Sequence, residues 1–391
     1  MSETATRPAR LRPSRQDARH KASLGTLIQL GVLLILLAVP FYANVALLQT
    51  GLLTFSAIIA AIGLNLLTGT TGQLSLAHAF FVAVGAYGYS FFTGVPTPHG
   101  PGGLGLPPLA GLILAVLLAG LTGMLFSPVA ARLGGVYLGI ASLALIFIGH
   151  HVMFSATPLT GGFNGRGVVP FDIAGFSFTE SNPDLSIFNV SLGQYERLWY
   201  LGLALAVLAY IIARNIVRRR PGRALTAIRD SELAAAVLGI NVGRYKASAF
   251  IISSMYAGLG GVIFALTVGH VVPDSFNLQM TIDYLAAIVI GGLGSVTGAA
   301  VGATFVFAIP QLLNQYSASI PLLAAIGSSG DLGAGSSARY VYGLAVIVVI
   351  LAAPGGLADI ARRRSARRRN TTTAAKGHAV GTAINKPANP D

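Results

Sequence analysis

Between residues 24 and 354 the chain runs through ten apolar stretches, seven of which carry no charge and the others one each. They lie at 24–42, 45–68, 73–93, 108–127, 134–154, 198–213, 246–268, 281–296, 298–315 and 339–354. Most approach the ~20 residues that cross a hydrocarbon layer as a helix. Residues 198–213, 281–296 and 339–354 are shorter and need an extra turn at either end. Charged residues make up 10% of the chain, where soluble domains carry about 25%. The fold class this predicts is all-α: a polytopic membrane protein of about ten spans.

The placement of basic residues sets the orientation. Six Lys/Arg lie in residues 1–23, eight in 214–246 and eight in 362–386. Only Arg132, Arg166, Arg197 and Arg339 fall elsewhere. Ten crossings with a cytoplasmic N-terminus put all three basic segments and Arg132 on the cytoplasmic side, as the positive-inside rule requires. Both termini are then cytoplasmic, and 94–107, 155–197 and 314–338 face outside. Charge packed beside apolar spans points to membrane lipid, so no nucleic-acid partner is expected. The organisation this gives is a basic disordered leader at 1–23, a membrane-embedded unit at 24–360 and a basic disordered tail at 361–391. Within the central unit, 155–197 forms the long outer loop and 214–246 the main cytoplasmic one.

"GLNLLTGTTGQLSLAHAFFVAVGAYGYS", residues 63–90, places Asn65, Gln73, Ser75 and His78 among apolar residues. An unpaired polar group costs several kcal/mol in hydrocarbon, so these side chains must face protein or water. Gly69 and Gly72 interrupt the helical pattern, and backbone freed there can line a cavity. Three roles stay open for the four residues: interhelical ties, groups along a translocation path, or a surface turn. Gly85 and Gly88 favour close helix contact. Gly291, Gly292 and Gly294 make a second glycine-rich interruption in the opposite half of the chain.

In "RRRPGRALTAIRDSELAAAVLGINVGRYK", residues 218–246, Pro221 and Gly222 end one helix. Asp230 or Ser231 can cap the next, Glu232 sits in its first turn, and Gly239 stops it about two turns later. Leu233, Val237 and Ile240 make an apolar ridge on a thin helix bearing Ala234, Ala235 and Ala236. Such a stub can dock in a partner's groove or lie on headgroups. At 283, Asp283 follows Thr281 where a helix is expected to begin. His150 and His151 are expected at a solvated interface.

Several chemistries are absent from the sequence. No GxxxxGK[ST] and no HExxH occurs, there is no cysteine, and no paired-carboxylate arrangement can be assembled. The spans hold almost no acidic residue for ion coupling. No catalytic or metal-binding residue is therefore assigned, and any energy source is expected in another subunit. An ATP-independent channel fits these absences as well.

"GLNLLTGTTGQLSLAHAFFVAVGAY", "RDSELAAAVLGINVGRYK", "AGLGGVIFAL", "IGGLGSVTGAAVGA" and "APGGLADI", in this order, resemble the blocks of branched-chain amino acid (LIV-type) ABC importer permeases. The long outer loop and "GINVGRYK" are more similar to the LivM-like subtype than to its LivH-like partner. The resemblance implies a bacterial inner-membrane importer subunit with a LivH-like second permease. It also implies two cytoplasmic ATPase subunits that use ATP, an extracytoplasmic solute-binding protein, and no cofactor on this chain. It implies that 229–246 is the coupling loop, with Leu233 at the Glu place of the EAA-x-x-x-G pattern, followed by Ala234, Ala235 and Gly239. Arg229, Asp230 and Glu232 would contact the ATPase groove or orient the helix. Related permeases handle urea and short-chain amides, so the solute class stays open.

Overall fold

The computed structural model describes residues 27, 29–95, 101–173, 176–178, 186–187, 190–191, 193–316, 342–344, 346–349, 351 and 355–357. The expected leader at 1–23, the tail at 361–391 and half of the span at 339–354 lie outside the described residues. One unit ends at Asn44 and holds the short apolar helix α1, Gln29–Phe41.

The second unit begins at Val45. Helix α2, Val45–Leu64, continues through a π turn at Asn65–Gly69. Then come α3, His78–Thr93; α4, Pro108–Arg132; α5, Gly135–Ser155; and α6, Gln194–Arg218. Helix α7, Arg220–Asp230, and the stub α8, Glu232–Val237, lead into α9, Val242–Val268. Helix α10, Leu278–Gly291, is followed by α11, Val296–Gln315, which contains a second π turn at Thr304–Ala308. Six of these helices are long and apolar enough to cross a membrane: α2 with its π turn, α4, α5, α6, α9 and α11. The protein is a multi-pass helical membrane protein.

Helix α9 is the packing centre, because three of its glycines let neighbouring helices approach its backbone closely. Gly258 meets Ala119 of α4 and Gly85 of α3, Gly260 meets Ser56 and Ala60 of α2, and Gly261 lies on the Val82 carbonyl of α3. Close approach substitutes for the hydrophobic drive that lipid cannot supply. It also brings polar groups within reach: Ser56 Oγ donates to Gly260 O at 2.7 Å, and Tyr256 OH to Ala209 O of α6 at 2.9 Å. On the far side of α2, Gly51 leaves room for Trp199 of α6, whose ring meets Phe55 edge-on at 4.8 Å. Outward faces stay apolar, as with Leu117, Leu121 and Leu125 on α4 and Ile140, Phe147 and Ile148 on α5.

Helix α9 has 27 residues and so measures about 40 Å, which places its two ends on opposite faces of the molecule. At its far end the chain turns at Gly269, and residues 270–271 pair antiparallel with Arg166–Gly167 of the loop between α5 and α6. Arg166 is buried there. It donates to the Leu159 and Gly102 carbonyls and lies over the Phe91 ring at 5.7 Å, tying three segments together. Burial pushes its pKa below the ordinary guanidinium value, with nearby Tyr87 opposing the shift. The outer loop, expected to end at 197, gives way to α6 at Gln194. At the other extramembrane bend, the cap of α10 is Asn277, whose Oδ1 accepts from Met280 N at 3.1 Å. Asp283 lies in the next turn and accepts from Gln279 Nε2 at 2.9 Å. His150 lies 4.0 Å from Asp274 and edge-on to Phe154.

Candidate functional site

The glycines singled out in the two halves of the sequence come together. Asn65, the first residue of the π turn, is 1% exposed, and its Oδ1 accepts from Gly294 N at 2.9 Å. A Cβ on Gly69 would overlap both Asn65 Oδ1 and Gly294 N, so the two turns touch backbone to backbone. Gly294 has φ +79° and Gly292 φ +109°, values that side-chain-bearing residues rarely adopt. Gly291 closes the α10–α11 hairpin against the Gly298 carbonyl, and Gly356, just before the basic tail, packs on Gly292. We call this meeting of residues 65–72 and 291–295 the glycine joint.

The joint is anchored by an arginine from α7. Arg229 Nη1 donates to Gly69 O at 2.6 Å, at the negative end of the α2 dipole. The helix leaves that carbonyl without an intrahelical partner, so a cation is a natural cap. The Cβ position of Gly294 lies 3.5 Å from the same Nη1, and that of Gly72 lies 3.5 Å from Arg229 Cγ. Two buried polar atoms in the joint, Asn65 Nδ2 and Thr68 Oγ1, have no hydrogen-bond partner among the described residues.

Beyond the joint the chain does not make a simple turn. His78 Nε2 lies 2.8 Å from Ala60 O, nine residues and about 13 Å back along α2 from Gly69. Residues 72–77 therefore run non-helically beside α2 before α3 begins. Side chains satisfy the backbone this frees: Ser142 Oγ of α5 accepts from Leu76 N at 2.8 Å, and Thr281 Oγ1 of α10 accepts from Ala79 N at 3.0 Å. Gln73 Nε2 donates to Ala130 O of α4 at 2.6 Å, and His78 stands edge-on to Tyr284 at 5.3 Å. Ser75 is buried in the same stretch. Irregular backbone at such depth is tolerated only when buried in protein or lining a cavity. Asn65, Gln73 and His78 each reach across to backbone of another segment, as ties do.

Removing one tie should be measurable. Asn65→Ala leaves the Gly294 N–H unpaired in the interior, a cost of about 1–3 kcal/mol. Thermal unfolding in detergent is expected to shift down accordingly, with the helical content of the folded state unchanged.

The segment at 220–240 is more elaborate than the sequence suggested. Helix α7 was not foreseen, since Pro221-Gly222 reads as a break; it is instead the first turn of a new helix, with Gly222 tucked against the Val217 carbonyl. The i, i+3 pair Leu225 and Ile228, both buried, is the signal that could have revealed it. Ser231 Oγ caps α8 by accepting from Ala234 N at 3.2 Å, and Gly239 stops it at φ +80°. Ala235 is fully buried beneath the stub, while Asp230 and Ala234 are exposed. Glu232 turns inward to form a 2.5 Å ion pair with Lys246, which is nearly buried on α9. Leu233, Val237 and Leu238 are left 81%, 84% and 77% exposed. Three large apolar side chains projecting from a two-turn helix make a compact ridge for a partner.

Comparison with known proteins agrees with this architecture. The profile of the family described as branched-chain amino acid transport system / permease component matches residues 47–353. The chain is 31% identical over 304 residues to the high-affinity branched-chain amino acid transport system permease protein LivM of Salmonella typhimurium, covering 74% of this chain and 70% of the relative. It is 26% identical over 265 residues to LivH of the same organism, covering 66% and 81%. It is also 25% identical over 212 residues to the ribose import permease protein RbsC of Haemophilus influenzae, covering 52% and 58%. No solved structure matches.

Proposed function

This chain belongs to the branched-chain amino acid transport permease family, and from that premise we propose that it is one membrane subunit of an ATP-driven importer for branched-chain or related amino acids. It works in the inner membrane of a bacterium, pairs with a LivH-like second permease, and receives solute from an extracytoplasmic binding protein. Two cytoplasmic ATPase subunits supply the energy, and this chain binds no cofactor of its own. Residues 24–360 form the permease unit, crossing ten times with both basic ends in the cytoplasm.

The observation that carries this reading is the stub α8. Its apolar ridge is exposed, its inner side is fixed to α9 through Ala235 and the Glu232–Lys246 pair, and it lies in a basic segment suited to the cytoplasmic face. A channel has no use for such a projection. An ATPase groove that accepts a short amphipathic helix does. Glycine-lined contacts and the non-helical stretch at 72–77 suit rigid-body switching between two access states. Asn65, Gln73, Ser75 and His78 then build the wall beside the path, where uncharged donors and acceptors can also serve a zwitterion.

Vesicles containing both permease chains test the proposal. Uptake of leucine, isoleucine or valine is expected only when the ATPase subunits, ATP and the binding protein are all supplied. Uptake that continues without the ATPases would establish a facilitator instead. Ribose, urea and acetamide run in parallel identify the solute class, because relatives bearing this sequence pattern carry names for both amino acids and a sugar.

A further inference from the structure

We propose that Arg229 is a strut between the coupling stub and the glycine joint, the element that turns a push on α8 into a rearrangement of the two interrupted spans. The inference deepens the importer reading and rests on it only for the source of the push.

The geometry is the argument. Only Ser231 separates the end of α7 from the start of α8, so the two helices meet at a bend beside Arg229. From that bend two charged connections enter the bundle. Glu232 reaches Lys246 near the start of α9, and Arg229 reaches Gly69 O at the end of α2. The first grips the packing centre of the protein, which its glycine contacts hold rigid. The second grips a joint of two glycine-rich turns that meet backbone to backbone and, among the described residues, share one side-chain hydrogen bond, Asn65 Oδ1 to Gly294 N.

The joint also has a reason to rearrange. Among the described residues Asn65 Nδ2 and Thr68 Oγ1 are buried without hydrogen-bond partners, so a rotation that paired either within the protein would gain a hydrogen bond. The guanidinium sits where it can command that rotation. It holds the last carbonyl of α2 while lying against Gly294 from the other half of the chain. Withdrawing it frees the end of α2, and advancing it drives the α10–α11 turn away. Arg229 is thus a positioning residue: it is exposed at the surface, yet its task is directed inward.

Arg229→Ala and Arg229→Lys, in the complete transporter with its ATPase subunits, separate this role from a docking role. For Arg229→Ala, ATPase affinity and ATP hydrolysis are expected to stay within about twofold, while solute moved per ATP falls about tenfold, the scale of one lost charge-assisted hydrogen bond. Arg229→Lys keeps one donor for the carbonyl and is expected to recover most of the coupling. In the permease alone, amide exchange in 66–74 and 292–296 should quicken about tenfold in Arg229→Ala, with 80–90 unchanged. Unaltered solute per ATP, or a tenfold loss of ATPase affinity with intact coupling, would overturn the strut. Should the wild-type chain bind no ATPase at all, the importer reading fails by itself, and unaltered exchange at the joint would still refute the strut.

Discussion

Gly261→Val is expected to leave no stably folded permease in the membrane. The Cβ of residue 261 would fall on the Val82 carbonyl oxygen, and further branches would enter backbone of α3 near Ala86. Backbone cannot swing aside as a flexible side chain does, so α9 and α3 must separate. Separation also loosens Gly258 from Ala119 and Gly85, and Gly260 from α2, where Ser56 donates to its carbonyl. Overpacking alone costs about 1–3 kcal/mol, and interhelical hydrogen bonds in membranes add about 0.6 kcal/mol each. A total beyond about 3 kcal/mol removes much of the 5–15 kcal/mol that holds a typical folded chain together. Thermal unfolding in detergent and the yield of extractable protein report the outcome. Gly243→Ala, on the same helix with only the Asn241 side chain 3.9 Å away, is the control and should be neutral or slightly stabilising. A Gly261→Val protein that unfolds at the wild-type temperature would show that α9 is not the packing centre.

Leu233→Asp combined with Val237→Asp should abolish capture of the ATPase subunits without harming the permease. Both side chains are more than four-fifths exposed, so the fold asks little of them. If α8 enters a groove, each carboxylate must be desolvated there, and anchor residues of this kind carry about 2 kcal/mol or more apiece. A loss of at least about a hundredfold in affinity follows from the pair. Unfolding temperature and solute-path integrity should be unchanged. Ala235→Asp offers the contrast: it places a charge at a fully buried position and is expected to destabilise the α8–α9 corner. Undiminished ATPase capture by the double variant would remove the stub from the interface.

The contrast between Glu232 and Leu233 also marks what a sequence can and cannot reveal. The cap at Ser231 and the stop at Gly239 are local, each set by residues within two turns, and were legible; of the apolar ridge Leu233 and Val237 were legible, but its third exposed member is Leu238, while Ile240 is half-buried. The partner of Glu232 lies fourteen positions away on another helix, so reversing its charge in Glu232→Lys would disturb the Lys246 corner as well as any docking surface. The same distinction applies at the joint. Gly69, Gly72, Gly292 and Gly294 announced two interruptions, but their meeting depends on an Asn65–Gly294 contact spanning 229 positions. Arg166 was visible only as a stray cation, because the carbonyls it gathers come from Gly102 and Leu159 on separate loops. Helix α7 was missed for a different reason. Pro221 favours a first turn as strongly as it ends a preceding one, and the two uses look alike in sequence.

The rod formed by α9 has a consequence of its own. It begins three residues past the stop of the stub and ends one residue before the strand that clasps the outer loop. Whatever displaces the clasp therefore presses on the same stiff member that Glu232 grips through Lys246. Displacing the clasp must either tear two strand pairings or be relayed end to end along the rod. Strain at the clasp can thus reach the corner beneath the stub through one continuous piece of helix.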